Sequence, residues 1–204
     1  MRWLGSQRAV GPRSWILASA SPRRSDLLRA AGQRFECMAS RVDETPRSGE
    51  QALDSTQRIA RDKAREVFAQ RPGRWVLAAD TIVIVDGQAL GKPEDAAEAS
   101  RMLGRLSGRR HEVATAFVLL DERGEVFVER VVKTEVEFRS LDSAEIAAYV
   151  ASGEPFDKAG AYAVQCGGAT FVVELRGSRS NVIGLPMDEV ERALRAAGLW
   201  ISQG

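Results

Sequence analysis

Two arginines stand where a helix would begin, and that position favours an anion in front of them. In Ser19-Ala20-Ser21-Pro22-Arg23-Arg24, Pro22 suits the first helical position and Ser21 the N-cap. A first helical turn carries unpaired N–H groups and a partial positive charge, so two more cations there are locally unfavourable. A serine-bearing turn, a helix N-terminus and an arginine fork can together hold phosphate. An ordinary capped helix with solvated arginines would use the same residues. The second signal is Asp80, inside Leu77-Ala78-Ala79-Asp80-Thr81-Ile82-Val83. A carboxylate in so apolar a run wants a cation or a cavity. It could hold a metal ion or activate a water, unless the chain simply bends at Asp80-Thr81.

The lysines are next. Lys63 lies one helical repeat from both Ile59 and Val67, beside an apolar stripe, so it either snorkels or faces a pocket. Lys92, in Gly91-Lys92-Pro93-Glu94-Asp95, is read as standing just before a helix, again a cation where the dipole favours an anion. Asp43-Glu44 and Asp157-Lys158 fall on expected loops. His111 follows Arg109-Arg110 at the start of an expected strand and reads as structural. Neither Gly104–Gly108 nor Gly167-Gly168 has a phosphate-loop or dinucleotide spacing.

The elements that must position these groups follow from the apolar pattern. Trp15–Ala18 reads as a strand feeding the Ser19–Pro22 turn and a helix ended by Gly32, and Phe35–Val42 as another strand. Turn residues make Asp43–Gly49 a loop, and Gln51–Ala69 carries one helical apolar face. Trp75–Val85 is a buried strand that turns at Asp86-Gly87 into Gln88–Leu90. A helix over Pro93–Leu106 precedes two long strands, His111–Leu120 and Glu125–Phe138. Asp142 caps a helix to Val150, Gly153–Gly160 is a loop, Thr170–Leu175 a strand, and Pro186–Ala197 a final helix. The expected fold is α/β on a mixed sheet.

Composition bounds the function. The 204 residues hold 29 Lys+Arg against 28 Asp+Glu, a net charge of +1, which supplies no bulk attraction to nucleic acid or anionic membrane. The single His and two Cys cannot build a structural zinc site, and Cys37 and Cys166 lie far apart, as in a reducing compartment. No run of about 18 apolar residues is present to span a bilayer. Met1–Arg13 lacks the apolar core of a secretory signal. It is read as a loose extension before one domain, 14–204, in a cytoplasmic protein.

Taken in order, Leu17–Arg24, Ala79–Val83, Gly91-Lys92-Pro93, Leu106–Arg109 with His111, Asp157–Tyr162 and Gly184-Leu185-Pro186 resemble the Maf family of nucleoside triphosphate pyrophosphatases, from about Ile16 to about Leu194. The resemblance implies a fold related to the inosine triphosphate pyrophosphatases, with helices flanking a mixed central sheet and two lobes around a deep cleft. It also implies a possible homodimer, and hydrolysis of a nucleoside triphosphate to the monophosphate and pyrophosphate with Mg²⁺ or Mn²⁺. Carried over residue by residue, Asp80 matches the proton acceptor, and Arg23, Thr81 and Gln165 match positions tied to substrate choice. Ser19, Arg24, Lys63, Lys92 and Lys158 would bind phosphate, and Glu44 with Asp80 would hold the metal.

One group of the family acts on dTTP and UTP and another on 7-methyl-GTP. Ala79-Asp80-Thr81 and Lys158–Gln165 look like the first, while Val42–Arg47 is also similar to the second. A glutamine amide can donate to O4 of uracil or thymine and accept from N3–H, a pairing that cytosine reverses. The expected substrates are therefore dTTP and UTP. The alternatives are 7-methyl-GTP, or a regulator of cell division that binds nucleotide without turning it over.

Overall fold

The computed structural model describes residues 14–202; the extension expected over Met1–Arg13 lies outside them. One seven-stranded mixed sheet runs through the molecule in the order β2-β1-β3-β5-β6-β7, with β4 also paired to β3. The strands are β1 (Trp15–Ala18), β2 (Glu36–Cys37), β3 (Trp75–Val85), β4 (Gln88–Leu90), β5 (Arg110–Leu120), β6 (Val126–Phe138) and β7 (Val172–Arg176). The helices are α1 (Pro22–Ala30), α2 (Ala52–Gln70), α3 (Ala96–Leu106), α4 (Ser143–Ala151), α5 (Arg179–Ile183) and α6 (Met187–Ala196). Among the described residues, no helix is long and apolar enough to cross a membrane.

The strand β3 organises the rest. On one edge it pairs antiparallel with β5 from Val76 to Ile84. Its other edge is shared: β1 pairs in parallel with Trp75–Ala78, and β4 pairs antiparallel with Val83–Val85. Residues 79–82 fall in the gap between these two partners. There β1 ends and its chain turns away into α1, so the gap lies beyond the carboxyl end of a parallel strand, where open α/β sheets bind their ligands.

Alternation along β3 then decides what faces which layer. Val76 and Ala78 pack with Ala60, Ala64 and Val67 of α2. Leu77 and Ala79 pack on the other face with Leu28 of α1 and Val190 and Leu194 of α6. Asp80 continues the α2 face and Thr81 the α1 face. Beyond the gap, Val83 and Val85 join a third cluster with Leu103 of α3 and Tyr149 of α4. Leu77 is fully buried, and truncating such a side chain to alanine costs about 2–5 kcal/mol.

Several expected boundaries move. The strand foreseen over Phe35–Val42 shrinks to Glu36–Cys37, because β1 is only four residues long and offers no neighbour further on. Leu17 O takes one last hydrogen bond from Met38 N at 3.0 Å. α3 begins at Ala96, capped by Asp95, whose side chain accepts from Glu98 N, and not at Pro93. Lys92 therefore does not face a helix N-terminus. The Gly153–Gly160 loop contains a 3-10 turn, Glu154–Asp157, and a second follows at Ala159–Ala161. A third, Gly167–Phe171, takes the first two residues of the strand expected from Thr170.

Candidate active site

A cavity of about 1120 Å³ opens at the gap in β3. One wall is the β1–α1 turn with β3, α2 and the Glu44 loop. The opposite wall is the stretch from Phe156 to Gln165. Every site residue named from the sequence lines it: Ser19, Arg23, Arg24, Glu44, Lys63, Asp80, Thr81, Lys92, Lys158 and Gln165.

Lys63 does not snorkel. It is 6% exposed, and its Nζ donates to Asp80 Oδ1 at 2.8 Å and lies 2.8 Å from Glu44 Oε1. The α2 stripe carries it down onto the face of β3 that Asp80 shares. Glu44 arrives on a loop held to α2 by Arg58, which donates to Thr45 O at 3.2 Å and grips both carboxylate oxygens of Glu50. Lys92 Nζ approaches Glu44 Oε2 at 3.5 Å, so its partner is this carboxylate. Burial pushes the Glu44 carboxyl up, but the hydrogen bond and charge of Lys63, with Lys92 behind it, prevail and hold it below the ordinary carboxylate range. Two carboxylates thus converge on one buried ammonium.

Arg24 is the second buried cation, 9% exposed. Its Nε donates to Gly184 O at 2.7 Å, Nη1 to Ser19 Oγ at 3.3 Å and Nη2 to Thr81 Oγ1 at 3.1 Å. Burial lowers its pKa, opposed by Asp80 and Glu44, yet a guanidinium stays charged throughout the working range. Ser21 occupies the N-cap without a side-chain capping bond. Its own N–H donates instead to Ser19 Oγ at 3.1 Å. The first turn of α1 contains no acidic residue and borders the cavity with its arginines in place, as an anion site requires.

Arg23 turns the other way. Nη1 donates to Asp157 Oδ2 at 2.6 Å and Nη2 to Asp157 O at 3.2 Å, joining α1 to the opposite wall. Lys158 donates to the same Asp157 carboxylate and, at 2.6 Å, to Glu154 O. Burial raises the Asp157 carboxyl, but Lys158 and Arg23 bring it down to about 2. Gly160, at φ +69°, closes this turn against β3; a Cβ there would meet Val83 Cγ2 at 2.8 Å. Gln165 is exposed at the end of the wall.

The family model described as Maf-like protein matches residues 14–197. The chain belongs to the Maf family. Two similar relatives carry the name dTTP/UTP pyrophosphatase. That of Citrifermentans bemidjiense is 49% identical over 185 residues, covering 91% of this chain and 96% of that protein. That of Geotalea uraniireducens is 51% identical over 183 residues, covering 90% and 94%. A solved structure titled nucleoside-triphosphatase / dITP/XTP pyrophosphatase, from Mycobacterium abscessus, overlays with a TM-score of 0.46 at 18% identity, covering 93% of this chain and 100% of that one.

In this Maf-family chain His111 stands apart from the cavity. It is 4% exposed, its Nε2 lies 2.8 Å from Tyr162 Oη, and its ring meets Phe138 edge-on. Burial pushes it down to about 4, so it is a neutral core residue. What the sequence reading missed is the support behind Arg24. Thr81 Oγ1 lies 2.9 Å from Thr115 Oγ1, which donates to Asn181 O at 3.0 Å; Asn181 Nδ2 in turn donates to Val113 O and Thr134 Oγ1, each at 3.0 Å. Ser178, three residues before Asn181 and accepting from its N–H, was the available signal for α5.

The donor chemistry also fits a divalent cation. Mg²⁺ takes one or two carboxylates and completes its shell with substrate phosphates and water, and Glu44 with Asp80 supplies that carboxylate pair.

Proposed function

We propose that this chain hydrolyses nucleoside triphosphates, dTTP and UTP foremost, to the monophosphate and pyrophosphate. The observation that carries the reading is the junction of Asp80, Glu44 and Lys63 at the gap in β3, facing Arg24 and the first turn of α1. Carboxylates beside a phosphate-sized field of cations suit hydrolysis of a phosphoanhydride. Relatives named dTTP/UTP pyrophosphatase at 49% and 51% identity support the choice of substrate. The near-balanced charge supports a small-molecule substrate over nucleic acid.

In this mechanism Asp80 accepts a proton from water as the water oxygen bonds to the α phosphorus of the triphosphate. The bridging P–O bond breaks and pyrophosphate leaves. Lys63 orients Asp80, and Glu44 completes the pair that would hold Mg²⁺ or Mn²⁺. The bound ion would offset phosphate charge and polarise the phosphoryl oxygens. Arg24, Ser19, Lys92 and Lys158 face the charge that grows on the leaving group, an electrostatic contribution set before the reaction begins. Arg23, Thr81 and Gln165 govern which nucleotide fits, Gln165 by pairing with O4 and N3–H of the base. The protein is proposed to work in the cytoplasm, as a homodimer.

The test is pyrophosphate release with Mg²⁺ across the common nucleoside triphosphates, modified pyrimidine triphosphates and 7-methyl-GTP. The expected order is led by dTTP and UTP. Turnover led by 7-methyl-GTP would move the chain to the family's other substrate group. Binding without turnover would replace the enzyme with a regulator.

A further inference from the structure

Gln165 sits on a segment without helix or strand, yet a base reader must be held still to discriminate. The residues around it are pinned from behind. Tyr149, on α4 and 7% exposed, accepts a hydrogen bond from Ala163 N at 3.2 Å and donates its own hydroxyl to Glu154 Oε1 at 2.7 Å. The other oxygen, Glu154 Oε2, accepts from Gly167 N at 3.2 Å. Two peptide N–H groups, two residues before Gln165 and two after, therefore end on one Tyr–Glu pair. The main chain of Glu154 also receives Lys158 Nζ at 2.6 Å, so the same turn places a phosphate-side cation.

The pair explains Gly167-Gly168, which has no nucleotide-loop spacing. A Cβ at Gly168 would lie 2.7 Å from Ala163 O and 3.0 Å from Tyr149 Oη. One at Gly167 would meet Tyr149 Cε2 at 3.1 Å and Glu154 Oε2 at 3.2 Å. These glycines let the segment fold back flat against the Tyr149 hydroxyl. Phe171, whose ring meets Tyr149 edge-on at 5.0 Å, closes the other side.

We propose that Tyr149 and Glu154 are positioning residues for base selection: they fix the 163–167 segment so that the Gln165 amide meets the pyrimidine edge in one orientation. The proposal rests on the base-reading role given to Gln165. The two can fail separately.

The experiment measures kcat/KM for UTP and for CTP, with inhibition by pyrophosphate, in the full chain and in Gln165→Ala, Tyr149→Phe and Glu154→Gln. Tyr149→Phe keeps the ring and removes both bonds of the hydroxyl. It is expected to lower the UTP/CTP ratio about tenfold, the scale of one or two lost hydrogen bonds, with the pyrophosphate inhibition constant unchanged. Glu154→Gln keeps acceptor capacity on one oxygen and should lower the ratio less. A purely structural role would weaken both substrates and pyrophosphate together, leaving the ratio intact, and would overturn the proposal. If Gln165→Ala changes the ratio and Tyr149→Phe does not, the positioning role falls while the base reader stands. If Gln165→Ala leaves the ratio unchanged, both fall. Should Tyr149→Phe fold poorly, Gly168→Ala disturbs the same packing from the other side, and an unchanged ratio there counts equally against the proposal.

Discussion

The two walls of the cavity are built on different principles. The wall carrying Arg24, Lys63, Asp80 and Thr81 stands on α1, α2 and β3, where strand alternation and helix periodicity aim these side chains, with Ser19 added by the β1–α1 turn and Glu44 by its loop. The facing wall, Phe156 to Gln165, runs through successive 3-10 turns and loops, with Gly160 and Ala161 at positive φ. Its order comes from side chains that reach over from elsewhere: Arg23 onto Asp157, Tyr149 and Glu154 onto Ala163 and Gly167, and Arg179 onto Val164 O at 2.9 Å. In the proposed mechanism the proton acceptor, Asp80, stands on the regular wall and the base reader, Gln165, on the irregular one, while Arg23 and Thr81 on the first and Lys158 on the second tie the two together. A reaction centre tolerates little displacement; selectivity needs a surface that can be altered without disturbing the sheet.

The sharpest way to break that division is Lys63→Met. The change leaves Glu44 and Asp80 facing each other without their shared cation, and turnover is expected to fall about 100-fold for all substrates alike. The Glu44 carboxyl should titrate higher in the variant, because the hydrogen bond and charge of Lys63 are what hold it below its ordinary range. A change in base preference instead would place selectivity on the regular wall. Thr81→Val is a finer probe. Thr81 matches a position tied to substrate choice, yet its hydroxyl partners Arg24 and Thr115. The expected loss is about tenfold in kcat/KM, shared by UTP and CTP if Thr81 acts through Arg24. A loss confined to one base would assign it to selection directly.

The smallest effect on catalysis belongs to His111→Gln, which should leave turnover intact and alter stability instead. His111 titrates near 4 when folded and near 6.5 when unfolded. Between those values the unfolded chain binds the extra proton, so stability is full above about pH 6.5 and declines toward pH 4. The decline amounts to about 3 kcal/mol. Chemical denaturation across that range should show the slope in the parent and lose it in the variant. A pH dependence that survives the substitution would assign it to another group.

How much of this was legible in the sequence follows the same division. Asp80 stood out because it breaks an apolar run, Lys63 because it lies beside the apolar stripe of its helix, and the arginines because they oppose a helix dipole. The lengths of β3, α2 and β6 were readable from periodicity within a few residues. Gln165 and Lys158 carried no such signal and were named by resemblance. α5 was missed because five residues, Arg-Ser-Asn-Val-Ile, are too short for an amphipathic repeat; its buried Asn181 acts through partners on β5 and β6 that are remote in sequence. Tyr149 falls inside the helix expected up to Val150 and carries no signal of its own in the sequence. Only the fold brings it to Glu154, Ala163 and Gly167.

In the proposed reaction Asp80, bridged to Lys63 where β3 is free on one edge and paired with β5 on the other, activates the attacking water. The direct test is Asp80→Asn, an isosteric change that keeps an acceptor on Lys63 and removes the base, assayed for dTTP hydrolysis and, by calorimetry, for nucleotide binding. Turnover should fall at least about 100-fold, the contribution of a positioned general base, while the nucleotide still binds and the fold melts cooperatively. Undiminished turnover in that variant would contradict the account and take Asp80 out of the reaction.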